Sequence, residues 1–191
     1  HRSVEIHGGA SGCKTYFINR IRELMGLAEM PKVTYTGASN TVKPVQTGDE
    51  GVVFTYGVKS GGKILPFVTN LSDFAGIQCT PITDATIKVN KGSVKYRVHI
   101  KDGDWLPYVT GCNWNDSING YAGNGQIIDA IEVYYSTPED IVNKYGYQKA
   151  QYRTSPVNGN YYSWQYDNET GNGQDGYAGC FGVAMDRFQL F

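Results

Sequence analysis

Two stretches of the chain crowd aromatic rings against amides and carboxylates: DWLPYVTGCNWND, Asp104 to Asp116, and NYYSWQYDNE, Asn160 to Glu169. A phenol or indole offers a flat face that sheds water readily and a polar tip that holds a hydrogen bond, and neighbouring Asn, Gln and Asp groups bond to hydroxyls. That combination suits an uncharged polyhydroxyl ligand such as a glycan. The candidate ligand-binding residues are Trp105, Tyr108, Trp114, Tyr161, Tyr162 and Trp164. Tyr121 and Tyr177 join them from two copies of the tetrapeptide GYAG, and Asp129 and Asp186 follow those copies. For any one ring, core packing is the simpler reading. In regular strand, alternation would send Trp105 and Tyr108, or Tyr161 and Trp164, to opposite faces and leave some rings outward.

Catalytic chemistry finds no comparable cluster. The chain lacks a G-x-S-x-G elbow, a phosphate loop, a dinucleotide fingerprint and the HExxH zinc signature. His1, His7 and Cys13 are evenly spaced, yet ordinary strand and turn residues explain them, and His99 lies in an alternating strand as a half-buried histidine would. Asp102, Asp104, Asp116 and Glu132 carry carboxylates of the kind glycoside hydrolysis needs, but nothing pairs any two of them. No catalytic residue, metal ligand or cofactor is assigned. Cys13, Cys79, Cys112 and Cys180 are too few and too scattered for a disulfide scaffold, so buried free thiols are expected, with one or two disulfides open to a protein that works outside a cell.

Composition narrows the partners. With 18% charged residues and a net charge of -1, the chain lacks the basic face of a nucleic-acid binder. No apolar run approaches the length of a membrane span, so membrane insertion is not expected, and no signal peptide is visible. The 24 glycines and 15 tyrosines are the unusual counts, and they fall in a pattern.

That pattern is a repeat, and it must position the rings. One unit runs from Tyr96-Arg97 through Trp105-Leu106-Pro107-Tyr108 and Asn119-Gly120-Tyr121-Ala122-Gly123 to Asp129 and Val133. The next runs from Tyr152-Arg153 through Tyr161-Tyr162-Ser163-Trp164 and Asp175-Gly176-Tyr177-Ala178-Gly179 to Asp186 and Phe188. A worn copy precedes them, from Tyr56-Gly57 through Leu65-Pro66-Phe67-Val68 and Phe74-Ala75-Gly76 to Asp84 and Val89. Units of about forty residues, each unable to bury its apolar face alone, fill 54–191. Alternating runs such as KYRVHI, AIEVYY and RFQLF make the unit β. The expected fold is mostly β, three repeats closed with pseudo-threefold symmetry in a trefoil- or prism-like arrangement that leaves no open sheet edge. Tyr-Ala-Gly suits a bend where backbones pass closely, and Asp84, Asp129 and Asp186 suit acceptors of turn amides as well as ligand contacts. Unit one, without tryptophan, is expected to keep a packing role, with Phe67 matching Tyr108 and Trp164. A helical turn is expected after Thr137-Pro138-Glu139-Asp140. Residues 1–30, a strand and an amphipathic helix, read as the tail of an upstream module, and 31–53 as a linker.

The succession Tyr-Arg, Trp-Leu-Pro-x-Val, Asn-Gly-Tyr-Ala-Gly, Ile-Asp-Ala-x-Glu-Val-Tyr-Tyr, then Tyr-Arg, Tyr-Tyr-x-Trp-Gln and Asp-Gly-Tyr-Ala-Gly-x-Phe-Gly, resembles C-terminal cell-wall-binding repeat regions of Gram-positive bacterial and phage peptidoglycan hydrolases. The resemblance covers about the last hundred residues. It implies a non-catalytic module, extracellular or at the cell wall, secreted or released by phage lysis, that targets an upstream amidase, muramidase or peptidase to cell-wall glycan or wall polysaccharide. A hydrolase fragment retaining part of its active site, and a lectin or adhesin, are the alternative readings.

Overall fold

The computed structural model of the protein describes residues 25–26 and 51–191. The strand and helix expected in 1–30 and most of the 31–53 linker lie outside the described residues, apart from a turn at Met25 and Gly26. What is described is mostly β, in several small sheets with one short helix. In chain order the strands are β1 (Phe54–Ser60), β2 (Lys63–Ile64), β3 (Val68–Thr69), β4 (Ala75–Gly76), β5 (Ile82–Val89), β6 (Ser93–Ile100), β7 (Ala122–Gly123) and β8 (Ile128–Ser136). After helix α1 (Glu139–Tyr145) come β9 (Gln151–Pro156), β10 (Gln165–Tyr166), β11 (Thr170–Gly171), β12 (Gln174–Asp175), β13 (Ala178–Gly179) and β14 (Met185–Leu190).

The first and last strands of each unit pair antiparallel: β1 with β5, β6 with β8, β9 with β14. Their β-branched and aromatic residues supply the core, which holds Val58, Ile87, Val98, Ile131, Val133, Phe188 and Leu190 without solvent contact. A tyrosine stands at the same place in each first strand. Tyr56, Tyr96 and Tyr152 are fully buried, and their hydroxyls donate to the carbonyls of Asn70 (2.7 Å), Gly111 (2.5 Å) and Asp167 (2.6 Å). A buried phenol needs such a partner, and burial pushes all three upward, Tyr96 to about 12.

The Ala-Gly pairs do not join their own unit's long strands. Strand β7, from unit two, pairs with β5 of unit one; β13, from unit three, pairs with β8 of unit two; β4, from unit one, pairs with β14 of unit three. Glycine is required there. A Cβ on Gly179 would lie 2.2 Å from the Asp129 carbonyl oxygen and one on Gly123 2.5 Å from Asp84 Oδ1, with φ at +137° and +142°. Alanine precedes each glycine because the position is buried beside a neighbouring strand: Ala75, Ala122 and Ala178 are at most 2% exposed.

Helix α1 forms where expected. Pro138 carbonyl accepts the first helical amides, Glu139 and Asp140 suit the positive end of the helix dipole, Ile141 is buried, and Gly146 closes the turn at φ +80°. The thiols depart from expectation: Cys79 is free but exposed, Cys112 is free and half-buried, and Cys180 is disulfide-bonded. Cys79 takes a positive-φ turn position outside the core, at φ +66°. No helix among the described residues is long and apolar enough to cross a membrane.

One buried acid stands apart. Asp167 Oδ1 accepts the amides of Tyr135 (2.9 Å) and Ala150 (3.0 Å), and burial outweighs those two bonds, pushing the carboxyl up to about 6. Asn70 does the matching work in unit one, where its amide oxygen accepts the Phe54 N–H.

Two outcomes follow from these contacts. Gly179→Ala should cost about 3 kcal/mol or more, through collision with the Asp129 backbone, whereas Gly125→Ala, with φ +83° and open space at its Cβ, should cost about 1 kcal/mol; urea denaturation compares them. Asp167 binds its proton more tightly folded than unfolded, so its contribution is best below pH ~4 and is lost as pH rises to about 6. Asp167→Asn, keeping the acceptor, should therefore be more stable than the parent by about 3 kcal/mol at pH 7. That advantage should shrink as the denaturation is repeated toward pH 4.

Candidate functional site

The three repeated aspartates are interior acceptors. Asp129 and Asp186 have no exposed surface, and Asp84 is 2% exposed. Each reaches across to the turn that follows another unit's Ala-Gly: Gly125 N–H donates to Asp84 Oδ1 (3.3 Å), Gly182 N–H to Asp129 Oδ2 (2.6 Å) and Cys79 N–H to Asp186 Oδ2 (2.8 Å). All three turn residues have positive φ, between +66° and +83°. Asp129 also bonds His99 Nδ1 at 2.7 Å, and Asp186 takes the Asn158 amide at 3.1 Å and Arg187 Nε at 3.0 Å. Their oxygens are occupied by protein donors, away from the surface.

The rings gather around cations at the joints between units. Where units two and three meet, the Arg97 guanidinium lies 4.6 Å from the Trp105 ring centre and 4.5 Å from that of Tyr108. Arg97 pairs with Glu132 through Nε (2.7 Å) and Nη2 (2.6 Å), and the Tyr108 hydroxyl donates to the other oxygen of that carboxylate. Burial and that carboxylate together push the Tyr108 phenol up to about 12. Trp105 meets Tyr177 edge-on at 5.6 Å, and Tyr177 stacks on Phe181 at 4.8 Å, which in turn stacks on His99 at 4.2 Å.

Units three and one meet at a second group built alike. The Arg153 guanidinium lies 4.3 Å from the Tyr161 ring and 4.2 Å from the Trp164 ring, and Trp164 meets Phe191 edge-on at 5.1 Å. Arg187 approaches Tyr161 at 5.1 Å and Phe74 at 6.0 Å. Burial draws Arg153 below the usual arginine range and pushes the Tyr161 phenol up. Tyr162 lies elsewhere, 8% exposed and packed with Cys180 and Val183 in a small separate cluster.

The joint of units one and two carries a third group. Lys59 Nζ sits 4.1 Å from the Tyr121 ring and 5.1 Å from the Trp114 ring, and the two rings are 5.4 Å apart. Unit one has Gly57 where the others have arginine, and Phe67 and Trp114 close over that glycine. Aromatic faces beside a cation and amide groups make a surface that can stack on a sugar ring and bond its hydroxyls.

Of the ten residues singled out by sequence, the structure brings Trp105, Tyr108 and Tyr177 into one group, Tyr161 and Trp164 into another, and Trp114 and Tyr121 into the third. The opposite-face expectation does not apply, because the segments carrying these pairs are not regular strand. Leu106 N–H still donates to the Val98 carbonyl, but between the isolated bridges His99 to Trp105 and Tyr96 to Val109 the register slips by one residue, so Trp105 and Tyr108 turn to the same arginine. Sequence reasoning missed the cations Arg97, Arg153, Arg187 and Lys59, and the partner rings Phe181 and Phe191. The repeated Tyr-Arg dipeptide was the available signal, since it sets an arginine beside the buried tyrosine in each complete unit.

Among the described residues, no group of three or more His, Cys, Asp and Glu side chains is placed to hold a metal ion. His1, His7 and Cys13 lie outside the described residues.

Phe67, expected to pack inside unit one, is 48% exposed. It covers Gly57 from outside, where the larger side chain of Arg97 or Arg153 stands in the other units. Phe67→Ala should therefore lower stability by only about 1 kcal/mol, as read by thermal denaturation.

Comparisons with protein-family models, with curated proteins and with solved structures give no match to this chain.

Proposed function

We propose that the chain is a non-catalytic module that binds cell-wall glycan or wall polysaccharide and targets a peptidoglycan hydrolase to a Gram-positive wall, its three units closed about a pseudo-threefold axis. The closure is supported by the ring of pairings in which each unit lends its Ala-Gly strand to another, β7 to β5, β13 to β8 and β4 to β14. The observation that carries the binding reading is the recurrence of one surface device. Arg97 between Trp105 and Tyr108, and Arg153 between Tyr161 and Trp164, are the same arrangement written twice with different rings. A packing need alone does not ask for half-exposed tryptophan and tyrosine clamped on a cation at matching places.

Repeated weak sites suit a repetitive polymer, because the second contact forms at the high local concentration set by the first. The interior aspartates then fix the geometry of the joints, and the rings at the joints meet the glycan.

The test is a pull-down with purified Gram-positive cell walls, assayed in parallel for released reducing ends and free amines. Trp105→Ala and Trp164→Ala should each weaken binding, and the double variant should weaken it far more than either alone, with circular dichroism showing all three folded. Wall binding without any product is expected. Product above a heat-inactivated control, or unchanged wall affinity in the folded double variant, would sink the proposal.

A further inference from the structure

Arg97 and Arg153 hold the same position in their units, each against one tyrosine and one tryptophan, yet their charge is met differently. Arg97 faces Glu132 across the β6–β8 pair, and Arg153 faces Gln189 across the β9–β14 pair. Arg97 is thus an ion pair, closed further by the Tyr108 hydroxyl on the same carboxylate. Arg153 donates Nε (2.9 Å) and Nη2 (2.7 Å) to a neutral amide oxygen of Gln189. Among the described residues the arginine ion pairs are Arg97 with Glu132 and Arg187 with Asp186, and none includes Arg153.

Neither of the two acids near this joint forms an ion pair with Arg153. Asp186 is held by Arg187 and by the amides of Cys79 and Asn158, and Asp73 accepts the amide of Phe74. The Tyr161 hydroxyl, in the ring that both Arg153 and Arg187 approach, is buried without a hydrogen-bond partner, an unmet polar group beside a guanidinium that has no acid partner. A guanidinium presents its donors in a planar fork that matches carboxylate and phosphate, and its bonds to an anion are about twice as strong as those to a neutral acceptor.

We infer that the Arg153 group is an anion-reading subsite, taking a carboxylate or phosphate carried by a saccharide, whereas the Arg97 group, its charge already met by Glu132, reads neutral hydroxyls. The inference rests on the glycan-binding reading and adds the charge of the ligand to it. Two related sites of unlike charge preference fit a polymer whose neutral and anionic residues recur, and they distinguish it from a uniformly neutral glycan.

The experiment titrates the full chain with sodium glucuronate, glucose 1-phosphate and glucose, following the Arg153 side-chain Nε–Hε resonance. Glucuronate or glucose 1-phosphate should shift that resonance saturably and glucose should not, and comparison of the two anions tells carboxylate from phosphate. Gln189→Glu, which gives Arg153 the carboxylate Arg97 already has, should weaken the anion response about tenfold. Glu132→Gln should create an anion response at Arg97, a gain that unfolding cannot imitate. An Arg153 response equal for glucose and the anions, no saturable response, or a Gln189→Glu chain that binds the anions as the parent does, would overturn the inference. Because these probes involve no wall, an anion response in a chain that fails to bind walls would uphold the subsite and remove the wall-targeting reading, and the reverse pattern would do the opposite.

Discussion

The hydrogen bond from a left-handed turn of one unit to a buried aspartate of another is the contact on which the rest of the architecture hangs. The donor turn immediately follows an Ala-Gly strand, and the acceptor begins or interrupts a long strand, so a single bond sets the position of two elements at once. The strand it supports is only two residues long and has little ladder of its own. A carboxylate that is out of water and bonded to backbone amides is strongly bound to its geometry, since leaving it unpaired would be costly. The glycine in the same segment serves the same end from the other side by letting the two backbones approach closer than any side chain would permit.

From this frame the differences between units become readable. All three keep the buried tyrosine, the Ala-Gly strand and the aspartate, which are the parts that hold the chain together. They differ at the residue after the tyrosine, which is Gly57, Arg97 or Arg153, and this residue points into the surface groups. Where the arginine is missing, Trp114 of the next unit and Phe67 close over the space. The joints thus have a common skeleton with a variable face, and a cation meets aromatic rings at each of them: Lys59, Arg97, and Arg153 with Arg187.

Much of the skeleton was legible in the sequence. Strand runs such as KYRVHI and AIEVYY carried their alternation openly, Thr137-Pro138-Glu139-Asp140 announced α1, and the two GYAG copies marked where backbones crowd. What sequence could not say was which strand each Ala-Gly would join, because a repeat fixes the chemistry of a segment and not its partner. The same limit hid the arginines. Tyr-Arg was visible, but an arginine on an alternating strand is ordinary until the adjoining segment slips its register by one residue and brings Trp105 and Tyr108 round to one side. Trp114 belonged in sequence to unit two and in space to the edge of unit one, and no local pattern records such a crossing.

The pairing of β4 with β14 has a consequence for assembly. Cys79 and Asp186, which that joint brings together, are 107 positions apart, so β4 of unit one has no strand to join, and unit three's sheet lacks its edge, until unit three has been synthesised. During that interval β14 is missing while β4 waits with unpaired backbone groups, and three nearly identical Ala-Gly segments compete for three similar long strands. A nascent chain in a crowded setting can then lend β4 to a neighbour's β14 and form an interlocked dimer through native contacts alone. The shortness of the lent strand limits this, because a two-residue ladder and one turn-to-aspartate bond are little to set against the entropy of joining two molecules.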